Sequence, residues 1–227
     1  LALQLENGGW TLAQGKPPLT GFSHGAAGMA AALGRLAQAT AESRFAEAAF
    51  RAIAYERSVF DTTRGNWPDF RTSNDPTAFM NTWCHGAPGI LLGRHVLQAA
   101  GLADQAMQNE IVAARSSTIA AVAAVSGKAD FPAHLCCGVL GLTSLLRYDA
   151  QASGLPLAAE VAQAESALMS EAKAVGGYVY FSLDSGSLNL PGLYTGKAGV
   201  ALALLEAATG EQWIPQVLSA GLLQWPS

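Results

Sequence analysis

The three cysteines of the chain, Cys84, Cys136 and Cys137, are the residues whose type and position point most directly to chemistry. Each stands at the start of a helix-like segment, where unpaired backbone N–H groups and the positive end of the helix dipole favour thiolate over thiol. Three thiolates brought together repel one another unless a divalent cation neutralises them. Zinc suits sulfur ligands and has no redox chemistry, and three protein ligands leave one position open, as in catalytic zinc sites.

Other interpretations of the cysteines remain open. A free cysteine is often a buried core residue, and an adjacent Cys136-Cys137 pair is an unusual spacing for two zinc ligands. A closed structural site would take a fourth ligand from His85 or His134. Alternatively, His134 orients the loop that carries Cys136 and Cys137. His95 lies within an apolar helix-like segment, and we interpret it as a packed residue rather than a ligand.

The cysteines belong to a motif that occurs four times: a polar or metal-binding residue, a glycine, two variable residues, another glycine and an apolar run. The copies are His24-Gly25-Ala26-Ala27-Gly28, His85-Gly86-Ala87-Pro88-Gly89, Cys137-Gly138-Val139-Leu140-Gly141 and Thr195-Gly196-Lys197-Ala198-Gly199. The first glycines are 61, 52 and 58 residues apart, a regularity typical of repeat architectures. The sequence therefore predicts one domain over residues 1–227, with four repeats.

Each repeat is predicted to contain two helices. The first begins at the glycine motif and is apolar on nearly all sides, as in Gly28 to Leu36, so it should be buried on most faces. The second is amphipathic, and the pattern predicts such helices over residues 41–60, 103–125 and 157–175. Pairs of this kind form either an open α-solenoid or a closed ring of inner and outer helices. Because the histidine and cysteine side chains all stand at the same end of the inner helices, the metal hypothesis favours the closed ring.

The composition narrows the classes of partner. The net charge is −4 and no basic cluster is present, which argues against nucleic acid. No apolar run reaches about 18 residues, so no transmembrane segment is predicted. Three cysteines, two of them adjacent, make a poor disulfide framework and indicate a reducing compartment. Because the chain starts at Leu1 and only 13% of its residues are charged, we interpret it as the downstream part of a longer protein.

Four stretches resemble the cyclase domain of lanthipeptide (lantibiotic) synthetases, the LanC-like family, and most closely the C-terminal cyclase domain of the bifunctional class II enzymes, the LanM proteins. They occur in the family's order and are Gly21-Phe22-Ser23-His24-Gly25, Trp83-Cys84-His85-Gly86-Ala87-Pro88-Gly89-Ile90, His134-Leu135-Cys136-Cys137-Gly138 and Pro191-Gly192-Leu193-Tyr194-Thr195-Gly196. The resemblance implies an all-α fold, an α/α-toroid formed by a double ring of inner and outer helices. This chain would hold an incomplete, C-terminal part of it.

The resemblance also implies a site. A zinc ion, Zn2+, would be held by Cys84 of the Trp-Cys motif and by Cys136 and Cys137, which stand where the family usually has a Cys-His pair. The third cysteine is the pattern of an all-cysteine subgroup of class II enzymes. The family's acid/base histidine corresponds to His24, and His85 is a second candidate catalytic residue that assists or shapes the site. Some standalone cyclases carry an arginine where this chain has Met80, which again favours class II.

The implied function is that of a zinc-dependent cyclase in the cytoplasm. A precursor-peptide cysteine would lose its proton and attack the β-carbon of a dehydroalanine or dehydrobutyrine, and protonation at the α-carbon would give lanthionine or methyllanthionine. The expected partners are the dehydrated precursor peptide and an upstream dehydratase domain, in the same chain or in a partner chain. Two alternatives remain: a LanC-like protein that binds or conjugates glutathione, and a non-catalytic α-helical repeat scaffold whose cysteines are core residues.

Overall fold

The computed structural model describes residues 1–11, 15–71, 78–128, 130–178, 182–183, 186–187 and 190–222. The helices of this part of the chain are α1 Ala26–Thr40, α2 Ser43–Ser58, α3 Ala87–Ala99, α4 Gln105–Val125, α5 Val139–Ser153, α6 Ala159–Val175, α7 Lys197–Thr209 and α8 Ile214–Leu218. Two strands of two residues each, β1 Ser182–Leu183 and β2 Gly186–Ser187, pair antiparallel. The predicted all-α class is therefore confirmed.

The helices follow the predicted alternation. The three amphipathic helices predicted over residues 41–60, 103–125 and 157–175 correspond to α2, α4 and α6, and each glycine motif leads directly into α1, α3, α5 or α7. In α2, Ala48, Ala52 and Ile53 are buried while Glu47 and Arg51 are exposed. Among the helices of the described ranges, none is both long enough and apolar enough to cross a membrane.

Burial of the helices that follow the glycine motifs is less uniform than predicted. In α3, every residue from Ala87 to Leu97 is buried. In α1, however, Met29 and Leu36 are 43% and 39% exposed, and in α7 Leu205 is 51% exposed. The prediction that the Gly28 to Leu36 helix is buried on most faces is therefore wrong. Its buried residues share one face, which packs against α2 and α3.

The chain divides into two compact units. The first contains Leu1–Ser117 and the segment that starts at Leu218, and in it α1 packs against α2 and α3. The second contains Thr118–Val217, and in it α5 packs against α6 and α7. Large side chains buried in the first unit are Ile53, Trp67, Ile90, Leu91, Leu92, Leu97 and Met107; in the second they are Leu135, Leu140, Leu142 and Leu145.

The glycine motif is explained by the close approach of each loop to its own backbone. Every glycine of the four motifs faces the carbonyl oxygen of the residue six positions earlier, where a Cβ would lie within 2.7 Å of that oxygen. The pairs for the second glycines are Gly28 with Phe22 at 2.0 Å, Gly89 with Trp83 at 2.1 Å, Gly141 with Leu135 at 1.9 Å and Gly199 with Leu193 at 1.9 Å. Among these motif glycines only Gly86 has a positive φ, of +81°. Lack of space, rather than a left-handed backbone, therefore requires glycine in this repeat.

Candidate functional site

Cys84 and His85 lie in the first unit, in the loop that leads into α3, and both are buried. The hydroxyl of Thr82 lies 3.2 Å from the Cys84 Sγ and accepts a hydrogen bond from the His85 N–H at 3.2 Å. The Thr82 N–H in turn donates to the His85 carbonyl at 3.0 Å. Thr82 therefore holds the backbone of this loop in place, and its hydroxyl is a polar neighbour of the Cys84 thiol.

The Asn66 side chain also holds this loop in place, through hydrogen bonds to backbone groups before Cys84 and after His85. Its side-chain oxygen accepts hydrogen bonds from the N–H groups of Trp67 and Ala87, each at 2.8 Å, and its amide nitrogen donates to the Met80 carbonyl at 3.1 Å. The side chain thus spans the segment from Met80 to the first turn of α3. Sequence reasoning missed this residue, although its place in the Gly65-Asn66-Trp67 stretch before the second motif was a usable signal.

His24 lies in the loop that leads into α1, also in the first unit, and is exposed. Its imidazole ring stacks on that of His85, with ring centroids 5.4 Å apart and an interplanar angle of 23°. The His85 side chain is only 1% exposed. Burial holds the pKa of His85 below its usual value, so this imidazole is neutral near pH 7. The two histidines that were predicted from the sequence are therefore neighbours, one accessible from solvent and one beneath it.

Asp69 and Arg71 lie next to this pair and were not predicted. The Arg71 side chain donates to both carboxylate oxygens of Asp69, from Nη2 at 2.7 Å and from Nε at 3.0 and 3.1 Å. An Asp69 oxygen lies 3.9 Å from the His85 Nδ1. Burial raises the pKa of Asp69, but the hydrogen bonds from Arg71 outweigh it and the pKa lies below its usual value. The sequence signal that could have pointed to this ion pair is the spacing of two residues, which puts both side chains on one face of an extended segment.

Cys136 and Cys137 lie in the second unit, in the loop that leads into α5, and both are half-buried. Their sulfur atoms are 3.3 Å apart. Sulfurs at this distance can bind one zinc ion together, since zinc–sulfur bonds are about 2.3 Å long. The donor set and its spacing therefore fit a soft divalent cation.

His134 holds this pair of cysteines in place. It is buried, and its Nδ1 accepts a hydrogen bond from the Cys137 N–H at 3.2 Å, while its carbonyl accepts one from the Gly138 N–H at 3.0 Å. An Nδ1 that accepts requires the neutral tautomer with its proton on Nε2. Of the two roles left open by the sequence, orienting the loop is the one that these contacts favour.

The fourth copy of the motif has no candidate ligand, but its backbone supports the third copy. The Tyr194 carbonyl accepts a hydrogen bond from the Cys136 N–H at 2.8 Å, and a Cβ on Gly199 would lie 3.0 Å from the Leu135 side chain. The loop before α7 therefore packs against the cysteine loop within the second unit. The close approach to Leu135 is a further reason for glycine at position 199 in a copy that has neither histidine nor cysteine.

The chain belongs to the family of lanthionine synthetase C-like proteins, whose family model matches residues 6–218. None of the curated proteins compared with the chain is a significant match. The match confirms the LanC-like resemblance inferred from the four motifs, and the helix pairs agree with the α/α-toroid class. Membership of this family supports a function of the lanthionine-cyclase type.

Proposed function

We propose that this protein is a zinc-dependent peptide cyclase of the all-cysteine class II type. It adds cysteine thiols of a dehydrated precursor peptide to dehydroalanine or dehydrobutyrine, which forms lanthionine or methyllanthionine rings. The observation that carries the proposal is the pair of thiols at Cys136 and Cys137, with sulfur atoms 3.3 Å apart in a LanC-like chain.

The proposed zinc ligands are Cys84, Cys136 and Cys137. All three stand within two residues of the glycine at the N-cap of a helix, Gly86 for α3 and Gly138 for α5, where the helix dipole favours thiolate. Three thiolates leave one position of a tetrahedral ion for the substrate. When bound, zinc would lower the pKa of the substrate thiol and orient it for attack.

His24 is proposed to supply the proton that completes the reaction. Addition of the thiolate to the β-carbon forms the C–S bond and moves the electron pair to the enolate, which must then gain a proton at its α-carbon. An exposed imidazole can reach a bound peptide, and proton transfer is the ordinary role of histidine in catalysis. His85, neutral and buried beneath His24, is proposed to hold the His24 ring in place and to shape the site.

The proposed partners follow from the chemistry of the substrate. The precursor peptide must already contain dehydroamino acids, so a dehydratase domain must act first, either upstream in the same chain or in a partner chain. Keeping the three cysteines as thiols needs a reducing environment, which favours the cytoplasm.

The test uses a synthetic peptide with one cysteine and one dehydroalanine. Cyclisation leaves the mass unchanged but removes the thiol, so alkylation followed by mass spectrometry counts the uncyclised peptide. We expect the protein to accelerate thiol loss, a chelator to abolish the acceleration and added zinc to restore it. Acceleration that survives complete removal of metal contradicts the proposal. Preferential formation of a glutathione adduct, when glutathione is offered beside the peptide, supports the conjugating alternative instead.

A further inference from the structure

A buried ion pair in the first unit joins two residues that are neither proposed metal ligands nor proposed catalytic groups. Glu56 of α2 and Arg94 of α3 both have side chains that are 0% exposed, and the Arg94 Nη1 donates to the Glu56 Oε2 at 2.9 Å. The Arg94 Nε donates to the Glu110 Oε2 at 2.6 Å, and the Glu110 Oε1 pairs with Arg57. A line of alternating charges therefore runs from the core to the partly exposed Arg57.

The second oxygen of Glu56 leads to the candidate site. The Glu56 Oε1 accepts a hydrogen bond from the Gly21 N–H at 3.1 Å, and Gly21 begins the loop that carries His24. At Gly21 this loop crosses the cysteine segment of the first unit, because a Cβ there would lie 2.7 Å from the Cys84 carbonyl oxygen and 2.8 Å from the His85 Cα. Gly21 also has a φ of +90°, which a side chain disfavours. One carboxylate oxygen thus fixes the backbone where the His24 loop meets Cys84 and His85.

Stability alone is a weak reason for a buried charge here. Taking a carboxylate and a guanidinium out of water is unfavourable, and well-packed apolar residues often stabilise a core as well or better. Burial raises the pKa of Glu56, opposed by the Arg94 ion pair and the Gly21 N–H. What an apolar residue cannot provide is a directional acceptor for the Gly21 N–H.

We propose that Glu56 is a positioning residue: its carboxylate, held by Arg94, sets the place of the His24 loop on the Cys84-His85 segment. The role of this geometry in cyclisation rests on the proposed function. Glu56 itself touches neither substrate nor metal. It acts through Gly21, three residues before His24.

The test compares Glu56→Gln with the matched control Glu110→Gln. Both replacements remove one carboxylate from the same ion-pair line, but only Glu56 contacts Gly21. In Glu56→Gln one of the two carboxylate oxygens becomes an NH2 group, which donates and cannot accept, so the side chain loses either its hydrogen bond with Gly21 or the Arg94 contact that holds it in place. We expect the kcat of cyclisation to fall by about 10- to 100-fold with KM and zinc content unchanged, the size expected for misplaced catalytic groups. Glu110→Gln should keep kcat within about twofold of the wild type, because the Gly21 contact remains.

A second readout does not depend on the reaction. In NMR spectra of the protein, the Gly21 amide and the His24 ring resonances should shift in Glu56→Gln and stay in place in Glu110→Gln. If Glu56→Gln does not fold, Glu56→Asp retains the buried charge but draws the carboxylate away from Gly21, and the same shifts are expected. Unchanged His24 resonances, or equal losses of kcat in the two variants at equal losses of stability, overturn the positioning role. Absence of zinc and cyclisation in the wild type, with the His24 shifts intact, contradicts the proposed function alone.

Discussion

The exposed imidazole of His24 rests on the buried imidazole of His85, with ring centroids 5.4 Å apart. The pair is asymmetric: His24 is exposed to solvent, while burial keeps the His85 ring neutral near pH 7. In the proposed mechanism, the stacking would separate the proton-transfer group, His24, from the group that holds it, His85.

His24→Gln should slow cyclisation by about 10²- to 10⁴-fold, the usual contribution of a general acid, while leaving the zinc content unchanged. The matched control is Ser23→Ala, because Ser23 is the exposed neighbour of His24 in the same loop. Thiol alkylation of the peptide measures the rate, and atomic emission measures zinc. A His24→Gln protein as fast as Ser23→Ala would show that the proton comes from elsewhere.

His134→Ala should weaken metal binding although His134 is not a proposed ligand. The substitution leaves the Cys137 N–H without its acceptor and frees the cysteine loop, and loss of such supporting contacts typically lowers metal affinity by about 10- to 100-fold. Competition with a chromogenic chelator measures the affinity. His95→Ala, which removes another buried histidine that lies within α3 and outside the loops that carry the cysteines, is the control and should retain it. Equal affinity in the two variants rules out the orienting role of His134.

Gly86→Ala should be far more damaging than Gly101→Ala. Both glycines have a positive φ, +81° and +77°, but a Cβ on Gly86 would lie 1.9 Å from the Met80 carbonyl oxygen, whereas Gly101 has open space around it. Gly101→Ala should cost about 1–2 kcal/mol from its left-handed backbone alone, and Gly86→Ala should cost more than about 2 kcal/mol beyond that. Urea unfolding measures both. Similar losses would mean that the motif requires backbone conformation rather than space.

Asp69→Asn should destabilise the protein near neutral pH but not in acid. A carboxyl whose folded pKa is lowered contributes stability above its unfolded pKa, about 3.9, and that contribution disappears as pH falls through the folded value. The difference in free energy of unfolding between wild type and Asp69→Asn should be constant above about pH 5 and shrink below about pH 4. Since Arg71 is partly exposed, this constant difference in the free energy of unfolding should be about 1 kcal/mol. When both proteins also carry Arg71→Gln, most of the difference in free energy of unfolding should disappear. A difference that does not change with pH contradicts the proposed contribution of the Asp69 carboxylate.

The sequence predicted the features that repeat or are periodic. The four glycine motifs located the helix starts, and the apolar spacing located α2, α4 and α6. The glycine motifs also indicated that His24 and His85 each lie just before the start of a helix. Each of these features is encoded within a short window of sequence, which is why it could be recognised.

Features that depend on distant partners could not be predicted. Glu47 and Glu56 both lie on the amphipathic helix α2. Glu47 is exposed, whereas Glu56 is buried and paired with Arg94, which is 38 residues away in the sequence. Nothing local distinguishes them. The role of His134 was also left open, because it depends on which ring nitrogen faces the Cys137 N–H. Exposure of Met29 on α1 was missed because an apolar sequence does not say how many neighbours the helix has.

The most direct test of the proposed cyclase is to measure zinc content and cyclisation in the same preparations of wild type, Cys84→Ala and Cys137→Ala, with circular dichroism to verify that each is folded. We predict about one zinc ion per wild-type chain, and loss of both zinc and thioether formation in each variant. A folded Cys84→Ala or Cys137→Ala protein that cyclises the dehydrated peptide at the full wild-type rate would contradict the proposal.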